Sequence, residues 1–411
     1  MTDRVYDFAR CINEDAVMSE NAQSRLWNAG YTKTWVGNFL IFFSFMLMQP
    51  AFPLYLSDEF HADAETIGWV MVGYSITAIV IRLFSGYIVD SYPRRMVLVG
   101  SYVLFALCFL GYPLAGSLLM IAIVRTLHGA PFGLTTVSNS TVAVDFLPFS
   151  RRAEGIGYYG LSNNLAMAIA PAVGLCLYGV FYDFRVLMWG SIAIAALGLL
   201  LTISIRFPRP RPKEHAPLRV RNILLWKGWS FGLVVICSAF SYGVVSTYIA
   251  LYGKEELGIT GGTGGFFFLF AAGLILSRLV GSRSLRRGRI IRNGTVGVLL
   301  GLTGYALFAA VPAVWAFYTS AFFMGLGNGH MFPALQTMFM NIVSREQRGT
   351  ANSTLLVSWE FGVGIGTLCG GALVHVAGYH AAFWVAGFIN LCGVVHYVLH
   401  SRRDFKRKRL C

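Results

Sequence analysis

The sequence predicts an all-α membrane protein with twelve transmembrane helices in two pseudo-symmetric six-helix bundles. Three observations carry that prediction. The chain is 56% hydrophobic and 13% charged, with a mean hydropathy of +0.60, whereas soluble domains carry about twice that charge fraction. Apolar runs such as VGNFLIFFSFMLMQPAFPLYL and VLMWGSIAIAALGLLLTISI recur about twelve times along the 411 residues. A helix that crosses a bilayer needs roughly 20 such residues. Finally, the halves repeat at an offset of 196: Arg82 maps onto Arg278, Gly129 onto Gly325, Gly133 onto Gly329, Arg152 onto Arg348 and Gly174 onto Gly370. Six-helix halves related by an axis along the membrane normal are a recurring transporter architecture.

Taken in order, residues 1–34 form a polar N-terminal segment. Asp3, Asp7, Glu14, Asp15 and Glu20 interrupt it and no apolar h-region appears, so no cleavable signal peptide is expected. Helices are expected at 35–56, 67–89, 96–115, 118–143, 154–179 and 186–205, giving a first bundle over 35–206. The stretch RFPRPRPKEHAPLRVRNILLWKGW is rich in proline and charge and reads as a linker over 207–228. The second bundle, 229–400, holds expected helices at 229–252, 263–282, 291–310, 314–341, 350–374 and 381–400, followed by a basic tail, 401–411. Seven cysteines show no disulfide pattern; Cys108, Cys176, Cys237, Cys369 and Cys392 read as small apolar packing residues of the helices.

The net charge of +14 invites a nucleic-acid reading, but its distribution excludes one. Basic residues gather in every second connection: Arg94/Arg95, Arg151/Arg152, Arg206 to Lys227, Arg283 to Arg292, Arg345/Arg348 and the tail SRRDFKRKRL. Alternate connections carry little beyond Arg185 and Lys254, and one of them holds Asp58, Glu59, Asp63 and Glu65. The positive-inside rule therefore predicts cytoplasmic termini, in a bacterial-type inner membrane. The tail would meet anionic headgroups, each Lys or Arg adding about 1 kcal/mol near the surface. Trp35, Trp226, Trp229 and Trp315 fall near helix ends, as an interfacial belt would.

The stretch RLFSGYIVDSYPRRMVL spaces Arg82, Gly86 and Asp90 four apart, so they share a helix face on which Gly86 admits a neighbouring backbone. Asp90 at the helix end can cap a neighbouring helix or pair with a base. This stretch resembles the signature of the major facilitator superfamily, G-x-x-x-D-[RK]-x-G-[RK]-[RK]. Gly86, Asp90, Arg94 and Arg95 match it, while Ser91 and Pro93 depart. The resemblance extends over residues 35–400. RTLHGAPFG, with Arg125, His128 and Gly129, is similar to the family's R-x-x-[QG]-G pattern. DFLPFSRRAEGIGYYG, with Asp145, Pro148 and Arg152, resembles its second cytoplasmic gate. AIAPAVGL keeps Pro171 and Gly174 of the antiporter motif G-P-x-x-G-G, while Ala170 and Leu175 replace glycines. FMGLGNGHMFPALQ and RGTANSTLLVSWEFGVGIGTLCGG resemble the tenth and eleventh helices of bacterial efflux permeases for drugs or sugars. Gly362, Gly366 and Gly370, four apart, read as helix packing rather than a dinucleotide loop, since no strand precedes them.

The resemblance implies alternating access, with Asp90/Arg94/Arg95 and Asp145/Arg152 closing the cytoplasmic side and the first, fourth, seventh and tenth helices lining a central cavity. Ionisable residues in hydrocarbon cost roughly 2.5–3.5 kcal/mol and need a partner or a function. Arg82 and Arg278 lie toward helix ends, where they can snorkel as structural charges. Arg125 and Glu360 are deeper, about 12–18 Å from their helix ends at a rise of 1.5 Å per residue. Glu360 is the only acidic residue at such depth, and its image by the offset is Asn164. Burial disfavours the charged form of a carboxyl group, the property a proton carrier requires. Glu360 is expected to bind the coupling proton, with Arg125 setting its affinity or holding an anionic substrate group. His128 and His330 are further candidates for a proton or substrate role, and Asn38, Gln49, Tyr242 and Tyr248 for polar cavity contacts.

With no nucleotide-binding motif in a strand–loop–helix context, the energy source should be an ion gradient. The expectation is a monomeric, proton-coupled exporter of a small organic molecule: a drug-like compound, sugar or metabolite. Its partners are the substrate, protons and the lipid bilayer, with no nucleic acid, cofactor or metal. A proton symporter importing a metabolite is the nearest alternative. A non-transporting sensor would normally carry a signalling domain, and an enzyme would need paired carboxylates, a metal-ligand cluster or a nucleophile elbow.

Overall fold

The computed structural model describes residues 26–148, 151–207, 224–259, 263–286, 288–343 and 348–408, and its regular structure is helical throughout. In the first half, α1 spans Ala29–Met48, α2 Phe52–Phe60, α3 Ala64–Ser91, α4 Arg94–Leu114, α5 Leu118–Asp145, α6 Arg152–Phe181 and α7 Phe184–Ile203. In the second half, α8 spans Trp229–Glu255, α9 Gly264–Arg286, α10 Ile290–Ala310, α11 Val314–Asn341 and α12 Arg348–His396, with a short α13 at Arg402–Lys408. Among the described residues ten stretches are long and apolar enough to cross a membrane. Counting α11, and counting α12 as two arms, the total reaches twelve.

Three boundaries depart from those expected in a way that reshapes a helix. The first helix starts at Ala29, ahead of the apolar run, because the Asn28 side chain caps it by accepting from the Tyr31 N–H. Tyr31 is itself fully buried and donates to the carbonyl of Gly155 at 2.6 Å. The same crossing breaks at residues 49–51, because Pro50 lacks an N–H and its ring crowds the preceding turn; α2 restarts with Pro53 in its first turn. In α12, Gly378 at φ 79° and ψ 173° turns the chain back with almost no loop. The basic tail is helical to Lys408, and Phe405 is buried against the second bundle. Of the five cysteines read as packing residues, Cys176 and Cys392 are exposed on helix surfaces instead.

The sequence repeat is a structural one. In the first half α1 packs on α6, α3 on α5, and α4 on α5 and α7; in the second α8 packs on α12, α9 on α11, and α10 on α11 and α12. The glycines show why the offset is constant. A side chain at Gly129 would strike the α3 backbone at Tyr74 and one at Gly325 the α9 backbone at Phe270. One at Gly133 would strike Ile81 close to the Ala78 carbonyl, and one at Gly329 would strike Ser277 close to the Leu274 carbonyl. Each contact maps onto its image at an offset of 196. Close backbone approach in lipid needs small residues at those points, and so the repeat survives there. The two bundles meet along two antiparallel seams, α3 with α12 and α6 with α9.

Candidate functional site

At the end of the bundle away from the basic turns, polar bonds tie the halves together. The Lys254 ammonium lies 2.5 Å from Asp58, His375 Nδ1 lies 3.1 Å from Asp63, and the Tyr248 hydroxyl donates to the Ala64 carbonyl at 3.2 Å. Asp58 and Lys254 are images of each other at the 196 offset, so their contact falls on the pseudo-two-fold axis. Asp63 also caps α3 by accepting from the Thr66 N–H at 3.0 Å, and its hydrogen bonds to Thr66 hold its carboxyl below the usual range. A depressed value stabilises the fold above the ordinary 3.8 and is lost as pH falls through the lower value. Asp63→Ala should therefore cost about 0.5–2 kcal/mol. Asp63→Asn should keep the cap while removing the acid-limb dependence and the charge facing His375, as thermal midpoints against pH would register.

The α3–α12 seam runs from there toward the basic turns. Gly371 sits against the Ala64 backbone, Gly68 against Thr367 and Leu368, and Gly364 against Ser75. The seam ends in an ion pair: Arg82 Nη2 lies 3.2 Å from Glu360 Oε1, with side chains only 6% and 14% exposed. The acid's partner is thus Arg82 from the opposite bundle rather than Arg125, and Arg82 is no snorkelling end residue. The seam register sets the partner, since Ala64–Gly371 and Arg82–Glu360 lie along one antiparallel track.

Arg125 belongs to the first bundle's interior. It is 1% exposed, donates to Gln49 Oε1 at the α1–α2 break, and lies over the rings of Phe45 (4.9 Å), Phe52 (4.9 Å) and Tyr74 (5.3 Å). His128, one turn on, is fully buried, with Nδ1 3.1 Å from the Tyr112 hydroxyl and its ring packed on Phe45, Phe105 and Phe109. Its described contacts all come from the first bundle. Asn38 donates to Ser162 Oγ and accepts from the Tyr159 hydroxyl, both at 2.8 Å, so α6 satisfies it. His330 Nδ1 meets Asn293 Oδ1 at 3.0 Å inside the second bundle and abuts α9 at Gly281. Tyr248 is fixed in the far-side seam, also donating to the Thr367 carbonyl at 2.9 Å. Tyr242 does line a cleft, together with Ser238, Tyr305, Asn328, Trp359 and Asn390, next to Glu360 in sequence and wholly within the second half. Asn164 is half-buried on α6.

At the basic-turn end, Arg94 lies 3.3 Å from Asp145 and also donates to the Val89 carbonyl. This pair ties the α3–α4 turn to the end of α5 within one bundle, not across the bundles. Arg95 is exposed; the side chains of Asp90 and Arg152 lie outside the described residues. Among the described residues, nothing lies within 4 Å of a side chain built at Gly86. The expected close backbone approach is not made there by any described residue, and the Arg82–Glu360 pair one turn earlier is the nearest described α3–α12 contact. Pro171 is buried in α6, and a side chain at Gly174 would strike the Leu47 backbone of α1. Gly362, Gly366 and Gly370 face α8 at Ile236, Phe240 and Val244. Sequence reading gave Arg82 and Arg278 only structural roles, although the offset that pairs them was visible.

The family model described as Major Facilitator Superfamily matches residues 34–313 and 292–410. The chain is 25% identical over 386 residues to the uncharacterised MFS-type transporter YhhS of Escherichia coli K12, covering 89% of this chain and 91% of that protein. It is 22% identical over 363 residues to the staphylopine export protein of Staphylococcus aureus Mu50, covering 85% and 91%. The crystal structure of a point mutant of the peptide transporter POT in complex with sulfate superposes with a TM-score of 0.76 at 14% identity, covering 96% of this chain and 99% of that one.

Proposed function

Because this chain belongs to the major facilitator superfamily, and is therefore a transporter rather than an enzyme, we propose that it exports a small organic molecule across a bacterial inner membrane in exchange for protons. The observation that carries the reading is the buried Arg82–Glu360 pair, which joins the bundles at the inner limit of a closed seam. With the basic turns in the cytoplasm, the ties at Asp58–Lys254, Asp63–His375 and Ala64–Tyr248 shut the outer face, and the open side at Gly86 is cytoplasmic. The conformation is then inward-facing.

Alternating access pulls the outer seam apart, and that motion separates Arg82 from Glu360. A carboxylate left in a low-dielectric seam without its cation takes up a proton from outside. When the seam closes, the returning guanidinium favours the carboxylate and drives the proton off on the cytoplasmic side. One bond, made and broken once per cycle, thus links proton entry to closure. Substrate loads from the cytoplasm while the pair is formed. The staphylopine export protein among the relatives supports export.

The test is resistance to a broad compound panel in an efflux-deficient bacterial host expressing the parent or Glu360→Gln at equal membrane abundance. The parent should confer resistance and the variant should lose it, with proton-gradient-driven transport in proteoliposomes reduced about tenfold or more. Full gradient-driven transport by Glu360→Gln would exclude the coupling role.

A further inference from the structure

The second seam repeats the first in register but not in charge. Gly68 on α3 meets α12 at Leu368, and Gly264 on α9 meets α6 at Ala172 with its built side chain 3.0 Å from the carbonyl. These contacts are images at the offset of 196, so α6 and α9 run past each other in the same alignment as α12 and α3. Carried along both seams, that alignment places Arg278 where Arg82 sits and Asn164 where Glu360 sits. One seam holds a cation with its acid; the other holds a cation opposite an amide.

Arg278 has no hydrogen-bond or ion-pair partner among the described residues, and its Nε is buried without an acceptor. Among the described residues, Arg82 has a carboxylate and Arg125 has Gln49 and three aromatic faces, whereas Arg278 has no such compensation. The nearby His330 supplies no negative charge, and its Nδ1 is already engaged by Asn293. Arg278 is half-buried, and a guanidinium held partly inside a membrane protein without a counter-charge is costly. Its planar fork matches a carboxylate, phosphate or sulfonate, and the Asn164 amide can add a donor from the facing helix.

We infer that the seam between α6 and α9 is an anion site, in which Arg278, assisted by Asn164, holds the acidic group of the transported molecule. The substrate class is an organic anion. This rests on the export reading for the word transported but not for binding, so the two can fail separately.

The experiment uses the purified full-length protein in detergent at constant ionic strength. Its thermal midpoint is titrated with benzoate, benzenesulfonate and phenyl phosphate, and with benzamide as the uncharged match. At least one of the three anions should raise the midpoint saturably while benzamide does not. Arg278→Gln should weaken the apparent affinity about tenfold to hundredfold, the range for losing charge-assisted hydrogen bonds, and Arg278→Lys should recover part of it. Asn164→Glu supplies the missing acid, so it should raise the midpoint of the unliganded protein and abolish the anion response. That variant keeps the inference testable if Arg278→Gln folds poorly. No response to any of the three anions in the parent would overturn the inference. A response undiminished in both Arg278→Gln and Asn164→Glu would do the same.

Discussion

Glu360→Gln should cost the folded protein about 3–5 kcal/mol, the range for removing one partner of a buried ion pair, and Arg82→Gln should cost distinctly less. The pair is 3.2 Å apart and its side chains are 6% and 14% exposed, so solvent screens it little. The asymmetry comes from what each survivor can do. An unpaired Glu360 can take up a proton and become neutral, whereas an unpaired Arg82 keeps its charge at any working pH. Arg82→Gln should accordingly regain stability as the pH is lowered, because its native state then binds the extra proton. Glu360→Gln should show no such recovery. The double variant leaves two neutral groups of similar shape, and it should return most of what the Glu360 variant loses. Unfolding of the four proteins at pH 7 and at mildly acid pH decides the matter. Equal costs for the two single variants, or a double variant as unstable as Glu360→Gln, would contradict the description of the pair as a buried charge couple.

The contrast between Arg82 and Arg125 shows what the sequence disclosed and what it withheld. Apolar runs, basic turns and the 196 offset gave the helices, the two halves and the internal symmetry, because each depends only on periodicity and charge along one chain. The depth of Glu360 followed from counting residues to a helix end. Its partner did not, since the helices of opposite bundles that face each other are set by tertiary packing. A polar residue inside an apolar helix announces that it needs a partner, not whether protein or substrate provides one. Asn38 and His128 found theirs within the bundle, at Ser162, Tyr159 and Tyr112. The tie at Asp58–Lys254 was legible in principle, because opposite charges at image positions can meet on the axis, but only once a two-fold is taken as geometry rather than resemblance. The break at Gln49–Pro50–Ala51 was visible as a proline, yet that it sets Gln49 against Arg125 depends on the neighbouring helix.

Glycine positions separate packing that holds the fold from packing made only during the cycle. Gly366→Ala should destabilise the protein by about 1–3 kcal/mol or more, as overpacking does. The added methyl would meet the Phe240 backbone of α8, with its Cα and carbonyl carbon both 2.8 Å away, and a backbone cannot swing aside. Gly370→Ala, on the same face, meets the Tyr248 ring at 3.0 Å and the Val244 methyls at 3.2–3.3 Å, which can yield by rotating. Its cost should be the smaller of the two. Gly86→Val tests the opposite case. Among the described residues nothing lies within 4 Å of that position, so the variant should be as stable as the parent in the present conformation. If the basic-turn side shuts when the far side opens, a neighbouring backbone must close on α3 there, and the branched side chain would block it. The expected result is a normal thermal midpoint with transport reduced about tenfold or more, a barrier increase of at least about 1.4 kcal/mol. Full transport by Gly86→Val would mean that α3 is approached at this point in neither state, and that the glycine in the motif has no gating role.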